Sequence, residues 1–428
     1  MLNKRKLITS SCIFFLFTNL YANPIALEEL IEIAVLNNSN IKISEFAQEK
    51  EKASYNLSKT DYLPKVSLQG ELARYDVETS GTKANDNVKG YSLSASQLLY
   101  DFGKTSNQID TAKKNLEASN FQTVKNIADT VLNTKHAYYN ILNNYQQINL
   151  AEESIKIDEL HLEQADNYFN AGVRTLIDVT DAKLQLSNSK LKLLQSKYSL
   201  ENSKTKLISI IGKDNSDELN IKRDAEIKTS IKDFKKENLV LDDLVKTGLE
   251  NRAELKVFEK QIEAQQLQLE NSNKEYYPTL NLEASYSDKD ADKIASLDTK
   301  QAVAGVYLKW DLYTGNSTSE NIKISLANLS SLKQQLVQQK LHIKEDITST
   351  YLKVKENQES INLSLLNLDL SADKLNLANQ RYKAGLNDLV EVNDSKLAYT
   401  QSKSQLINTY YDYLNSKASL DYAIGRIY

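Results

Sequence analysis

Two short stretches of this 428-residue chain carry the same arrangement of acids after a glycine turn. In the first, Gly172-Val173-Arg174 leads to Asp178 and Asp181; in the second, Gly385-Leu386-Asn387 leads to Glu391 and Asp394. Acids three residues apart project from one face of a helix. Such pairs attract cations and repel anions, and where several gather, their titration is raised or coupled. A plainer role also fits, since carboxylates just after a turn are stabilised by the positive end of the helix they begin. The two roles do not conflict.

Other chemistry is scarce. His136, His161 and His342 stand alone on helical stretches with no HExxH spacing and no cysteine partner, so each is expected to be packed or solvated and not a metal ligand. There is no glycine-rich phosphate loop and no Gly-x-Ser-x-Gly elbow. The remaining Asp and Glu mostly share helices with Lys at close spacing, the pattern of a solvated face. The expectation is a protein that is not an enzyme and uses no cofactor or metal.

What positions the acids is an internal repeat. Ala26-Leu27-Glu28-Glu29-Leu30 recurs as Val240-Leu241-Asp242-Asp243-Leu244, and Tyr62-Leu63-Pro64 as Tyr276-Tyr277-Pro278, both 214 residues on. Leu99-Tyr100-Asp101-Phe102-Gly103 recurs as Leu312-Tyr313-Thr314-Gly315-Asn316, and Phe169-Asn170-Ala171-Gly172 as Tyr382-Lys383-Ala384-Gly385, both 213 on. The same unit therefore occurs twice. We divide the chain into residues 1–22, a first repeat over 23–212, a linker over 213–239 and a second repeat over 240–428.

Each repeat predicts a helix, two strands, a very long helix and a second helix. The first helix runs from about Leu27 to Thr60, and Pro64 ends it. Alternation then sets Val66, Leu68 and Leu72 against Lys65, Ser67, Gln69 and Glu71. The copy sets Leu280, Leu282, Ala284 and Tyr286 against Thr279, Asn281, Glu283 and Ser285. A polar loop follows, Asp76 to Lys89 or Ser287 to Lys300, then a second strand, Tyr91 to Tyr100 or Ala302 to Tyr313.

Strands of about ten residues with one dry and one wet face suit a transmembrane barrel, with Tyr100, Tyr307, Trp310 and Tyr313 as interface anchors. A small soluble hairpin is the alternative. If the strands enter a bilayer, four of them cannot close a barrel, and an open edge has no partners in hydrocarbon, so the chain must oligomerise. A trimer would supply twelve strands, although the strands themselves set no number.

The long helices, about Lys104 to Asn170 and Ser317 to Lys383, contain no proline and no glycine. At 1.5 Å per residue each would extend roughly 100 Å. In the shorter second helix Leu186, Leu193, Leu200 and Leu207 fall at seven-residue steps, matched in the copy by Tyr399, Leu406, Tyr413 and Leu420. A second row, Leu184, Leu191 and Tyr198, lies on the opposite flank. Apolar rows on opposite flanks give a helix a neighbour on each side, as a stave has in a wall enclosing a space.

Three prolines and eleven glycines are too few for several loop-rich domains. With 26% charged and 41% apolar residues, and no long apolar run beyond the N-terminus, a helical membrane protein is excluded. Lys4-Arg5-Lys6, the apolar run Leu7 to Leu20 and Ala22 read as a signal peptide cleaved after Ala22. Losing its three positive charges takes the formal net charge from −4 to −7, so no attraction to nucleic acid is expected. Cys12, the one cysteine, lacks the upstream leucine of a lipobox and would leave with the signal.

Signal, tandem repeats, element order and the Tyr-x-Pro and Tyr-Asp-x-Gly turns resemble the TolC-like outer membrane efflux proteins over essentially the whole mature chain. The most specific residues are the glycine turns with their acidic-Val-x-Asp steps, Asp178-Val179-Thr180-Asp181 and Glu391-Val392-Asn393-Asp394. The resemblance implies a mainly α fold with a β-barrel: a trimer with a twelve-stranded barrel in the outer membrane and long helices forming a periplasmic α-barrel. It further implies that Gly172, Val173, Gly385 and Leu386 contact a periplasmic adaptor, which links the channel to an inner-membrane pump or ATP-driven exporter. Threefold repetition would turn Asp178, Asp181, Glu391 and Asp394 into acidic rings at a gate, with Arg174 and Tyr382 in its lock. Phe169 takes the place of the lock tyrosine in the first repeat, and Arg174, Asp178 and Glu391 are expected close together.

The function so implied is an exit duct for small molecules in tripartite efflux. The outer membrane component of a type I protein secretion system is the nearest alternative, and a secreted coiled-coil protein that never enters a membrane is one of another class.

Overall fold

The computed structural model describes residues 25–79, 82–213, 221, 231, 236, 238–292 and 294–426. The expected signal peptide and most of the expected linker lie outside the described residues.

The described chain is mainly helical with one sheet. In order it comprises α1 Leu27–Asn37, α2 Ser39–Lys59, β1 Lys65–Thr79, β2 Thr82–Tyr100, α3 Lys104–Asn170 and α4 Leu176–Ile211. The same order returns as α5 Leu241–Asn251, α6 Ala253–Lys274, β3 Thr279–Ala291, β4 Thr299–Lys309, α7 Ser317–Lys383 and α8 Leu389–Ala423. Both long helices have the limits their composition predicts. Each begins after a positive-φ position, Gly103 at 83° and Asn316 at 66°, and ends before a glycine turn.

Where one first helix is expected, there are two in each repeat. Asn38 turns extended with ψ 127° and its N–H donates to Ala34 O; Arg252, 214 residues on, does the same with ψ 122° and Gly248 O. The Asn38 side chain also donates to Ile210 O at 2.7 Å, so a tertiary partner stabilises the break.

The strands also run further than expected. Polar residues 76–89 were expected to form a loop, but pairing continues through Asp76↔Asn85 to Thr79↔Thr82, because ladder hydrogen bonds satisfy the backbone whatever the side chains. Conversely β4 stops at Lys309, so Trp310 and Tyr313 fall just beyond it.

The chain divides into two compact units. One, from residues 1–38, 131–237 and 354–418, holds α1, α4, most of α8 and the C-terminal parts of α3 and α7. Polar side chains join its helices: Asn144 Nδ2 reaches Ser203 Oγ at 2.7 Å and Asn143 Nδ2 reaches Asn408 Oδ1 at 3.1 Å. Of the α4 rows, Leu200 and Leu207 are buried, whereas Leu184, Leu191 and Tyr198 are 53–70% exposed among the described residues.

The other unit, from residues 39–130, 238–353 and 419–428, holds the sheet, α2, α5, α6 and the N-terminal parts of α3 and α7. Gly248 permits close packing there, since a Cβ would lie 2.4 Å from Ile347 Cδ1. The buried Arg252 guanidinium is held by Glu254 at 2.9 Å and by the Tyr422 ring at 4.7 Å. The sheet is antiparallel in the order β1-β2-β3-β4, which leaves β1 and β4 as edges. Register places Val66, Leu68, Leu72, Leu93, Tyr286, Val306 and Leu308 on one face, all 37% or more exposed. The other face carries Ser67, Ser94, Ser285 and the Glu71–Lys289 ion pair at 2.9 Å. Among the described residues no helix is long and apolar enough to cross a membrane.

Candidate functional site

The two glycine turns lie in the same unit and have the same geometry. At the end of α3 the Gly172 N–H donates to Phe169 O at 2.9 Å and the Val173 N–H to Tyr168 O at 2.9 Å. At the end of α7 the Gly385 N–H donates to Tyr382 O at 3.0 Å and the Leu386 N–H to Arg381 O at 2.9 Å. This paired closure satisfies helix-end carbonyls and needs a left-handed residue, which Gly172 and Gly385 supply at φ 70° and 72°. Past each glycine the apolar side chain stays outside: Val173 is 67% exposed and Leu386 71%, with Leu176, Ile177 and Val390 beside them at 57–71%.

Beneath the turns Ala165, Val179, Ala182, Ala378, Tyr382, Leu389 and Val392 form a buried cluster drawn from all four helices. Arg174 links the turns by donating to Asn387 O, and its guanidinium lies 5.3 Å from the Tyr382 ring centroid. Tyr382 is buried, stacked edge-on against Tyr168 at 5.7 Å, and among the described residues its hydroxyl has no hydrogen-bond partner. Burial first, and the Asp178 charge after it, push the Tyr382 hydroxyl pKa up, with Arg174 opposing. Tyr382 at this site is thus a neutral packed ring.

The four acids divide in their contacts. Asp178 Oδ2 accepts from the Thr175 N–H at 3.0 Å and the Thr175 hydroxyl at 2.9 Å, closing the first turn of α4. The Glu391 N–H donates to Asp388 Oδ1 at 3.1 Å, so Asp388 caps α8. Sequence reasoning passed over Asp388, although Asp388-Leu389-Val390-Glu391 carries the spacing of a capping box. Among the described residues Asp178, Asp181, Glu391 and Asp394 make no ion pair; Asp394 is exposed and the other three are half-buried. The structure thus brings Arg174, Asp178 and Tyr382 within electrostatic reach of one another, and Arg174 donates to a backbone carbonyl.

The expected barrel anchors separate as well. Tyr100 pairs with Leu280 on the apolar face and packs on Phe102 at 4.8 Å, while Phe102 stacks on Tyr277 at 5.1 Å. Tyr307 pairs with Asn281 on the polar face, covering Gly305. The Trp310 indole donates to Tyr276 O at 3.0 Å, and Tyr313 is 82% exposed.

A buried charge pair was not foreseen. Lys396 of α8 donates to Asp158 of α3 at 2.5 Å, with side chains 9% and 1% exposed, and Ser189 of α4 donates to the same carboxylate oxygen. Nearby, His161 Nε2 meets Asn379 Oδ1 at 3.0 Å, and burial lowers the imidazole pKa. Among the described residues no group of acids, histidines and cysteines could hold a metal ion.

The comparisons agree with this architecture. A family model described as outer membrane efflux protein matches residues 30–213 and 244–426. The outer membrane protein TolC of Salmonella enteritidis is 21% identical over 94% of this chain and 82% of its own length. The toluene efflux pump outer membrane protein TtgC of Pseudomonas putida is 20% identical over 94% and 83%. Among solved structures the Campylobacter jejuni CmeC outer membrane channel superposes with a TM-score of 0.80 at 16% identity, over 94% of this chain and 86% of that one. Its likeness is one of fold. With both repeats matched, the chain belongs to the outer membrane efflux protein family, whose members are channel proteins and not enzymes.

Proposed function

We propose that three copies of this chain form an exit duct through the outer membrane, passing small molecules delivered by a periplasmic adaptor and an inner-membrane pump. The observation that carries the reading is the sheet: one exposed apolar face, one polar face and two open edges. Apolar and polar faces suit lipid outside and water inside, and hydrocarbon forbids an open edge, so further copies must close the barrel. The exposed row Leu184, Leu191 and Tyr198 gives the helices a neighbour too. A signal peptide removed after Ala22 provides the export route.

At the glycine turns, the exposed Val173 and Leu386 beside Gly172 and Gly385 offer the adaptor an apolar hold, while Asp178, Asp181, Glu391 and Asp394 recur around the entrance. Arg174 and Tyr382 hold the turns together. Tyr100, Trp310 and Tyr313 are interface anchors; Tyr307, on the polar face, faces the lumen. Efflux of small molecules is favoured over protein secretion because the TtgC relative belongs to a toluene efflux pump.

Planar-bilayer recording with the purified mature protein tests this. Long-lived, cation-selective steps from a species whose native mass is three chains support it. A folded trimer that never inserts, or a monomer with no conductance, overturns it.

A further inference from the structure

Between α4 and α8, over α3, lies a cavity of about 480 Å³ that the glycine turns and the sheet do not account for. That volume falls within the roughly 300–1,000 Å³ of small-molecule sites. Its α4 wall is the helical row Gln185, Asn188, Ser189 and Lys192, at spacings of three, four and seven. A row facing a neighbouring helix is ordinarily apolar. Here amides and hydroxyls stand there, and α8 answers with more of them around Lys396 and Gln401. The helices leave a groove lined mainly by polar side chains, with Leu150, Ala151 and Leu397 as its apolar part.

Charge narrows what the groove suits. Among the described residues no carboxylate lines it, although the chain as a whole carries 57 acids against 53 Lys and Arg. Lys396 is fixed by Asp158, which lies 1% exposed beneath it, and also reaches Ser189 Oγ at 3.2 Å. The ammonium is therefore held in place, with its position at the cavity wall set by the buried pair. Lys192 is exposed and, among the described residues, makes no ion pair. One neutralised and one uncompensated ammonium, flanked by amide and hydroxyl donors, match an oxyanion carried on a polar body.

We propose that this groove binds small organic oxyanions, sugar phosphates and polyhydroxy carboxylates among them, with Lys192 receiving the anionic group. The site belongs to one protomer and does not depend on conduction, so it stands or falls apart from the exit-duct reading.

The test is calorimetric titration of the purified full-length protein with glucose 6-phosphate, and with glucose as the same body without the anion. Glucose 6-phosphate should bind at least ten times more tightly than glucose. Lys192→Glu on one wall and Gln401→Glu on the other are exposed changes that leave the buried pair intact, and each should weaken binding of the phosphate at least tenfold. Lys192→Arg should retain it. No heat of binding up to millimolar phosphate, equal binding of glucose, or affinity unchanged in both glutamate variants would overturn the proposal.

Discussion

The Arg174 guanidinium donates to the backbone carbonyl of Asn387 and so ties the α3–α4 turn to the α7–α8 turn. A hydrogen bond from a charged donor contributes about 1.5–3 kcal/mol. Arg174→Ala should let the two turns move apart. Cleavage after Ala22, as proposed, would remove Cys12, the one cysteine of the chain, so that spin labels at Val173→Cys and Leu386→Cys report the separation cleanly. A distance distribution broader and longer in the alanine variant is expected. Arg174→Lys should restore it only in part, because an ammonium lacks the planar fork of donors that a guanidinium presents. Identical distributions in all three proteins would show that the contact restrains nothing.

Asp178 carries both a capping bond and a charge, and two substitutions separate them. Asp178→Asn keeps an acceptor for the Thr175 N–H and removes the charge; Asp178→Ala removes both. Loss of a cap costs about 0.5–2 kcal/mol. Amide exchange at the start of α4 should therefore quicken in the alanine variant and stay near wild type in the asparagine one. Cation selectivity in bilayers should fall in both. Selectivity unchanged in Asp178→Asn would leave Asp178 as a cap alone.

The long helices could be read directly from the chain, because a stretch without Pro or Gly between Gly103 and Gly172 admits little else. The sheet was legible as alternation, and its extra length was not, since Asp76 to Lys89 pairs through backbone groups that composition does not display. The break at Asn38 depends on Ile210 O, 172 residues away, and the Asp158–Lys396 pair spans 238 residues. Contacts of that kind leave no local trace. At the glycine turns the acids were visible, but the arginine's partner is a carbonyl, and every residue has one.

His161 gives stability a pH dependence whose sign follows from burial. Its pKa lies below the ordinary 6.5 because burial disfavours the imidazolium; the Asn379 bond and the Asp158 charge act the other way, and Lys396 and Lys383 reinforce the lowering. The unfolded chain thus binds a proton more readily than the folded one. The contribution is complete above pH 6.5 and is lost as the pH falls below it. His136, also lowered by burial, adds in the same direction. Unfolding temperature should drop on going from about pH 7 to about pH 5, and His161→Gln, which can still meet Asn379, should flatten the drop. Parallel curves for the two proteins would remove His161 as the cause.

The two faces of β1 make the sharpest contrast available to mutation. Leu68, 73% exposed, pairs with Leu93 on the apolar face, and Gln69 pairs with Ser92 on the polar one. If lipid covers the first and water the second, arginine at neighbouring positions must have opposite consequences. On a lipid-facing strand it costs about 2–4 kcal/mol near the bilayer midplane and falls toward zero at the interfaces. Leu68→Arg should therefore lower the yield of heat-modifiable oligomer in the outer membrane, whereas Gln69→Arg should leave the yield near wild type and shift the single-channel selectivity. A soluble hairpin predicts something else: with no bilayer to enter, neither variant would change a yield of outer-membrane oligomer, and no selectivity would exist to shift. The pair of yields therefore decides whether this sheet belongs to a membrane barrel, independently of any relative's function.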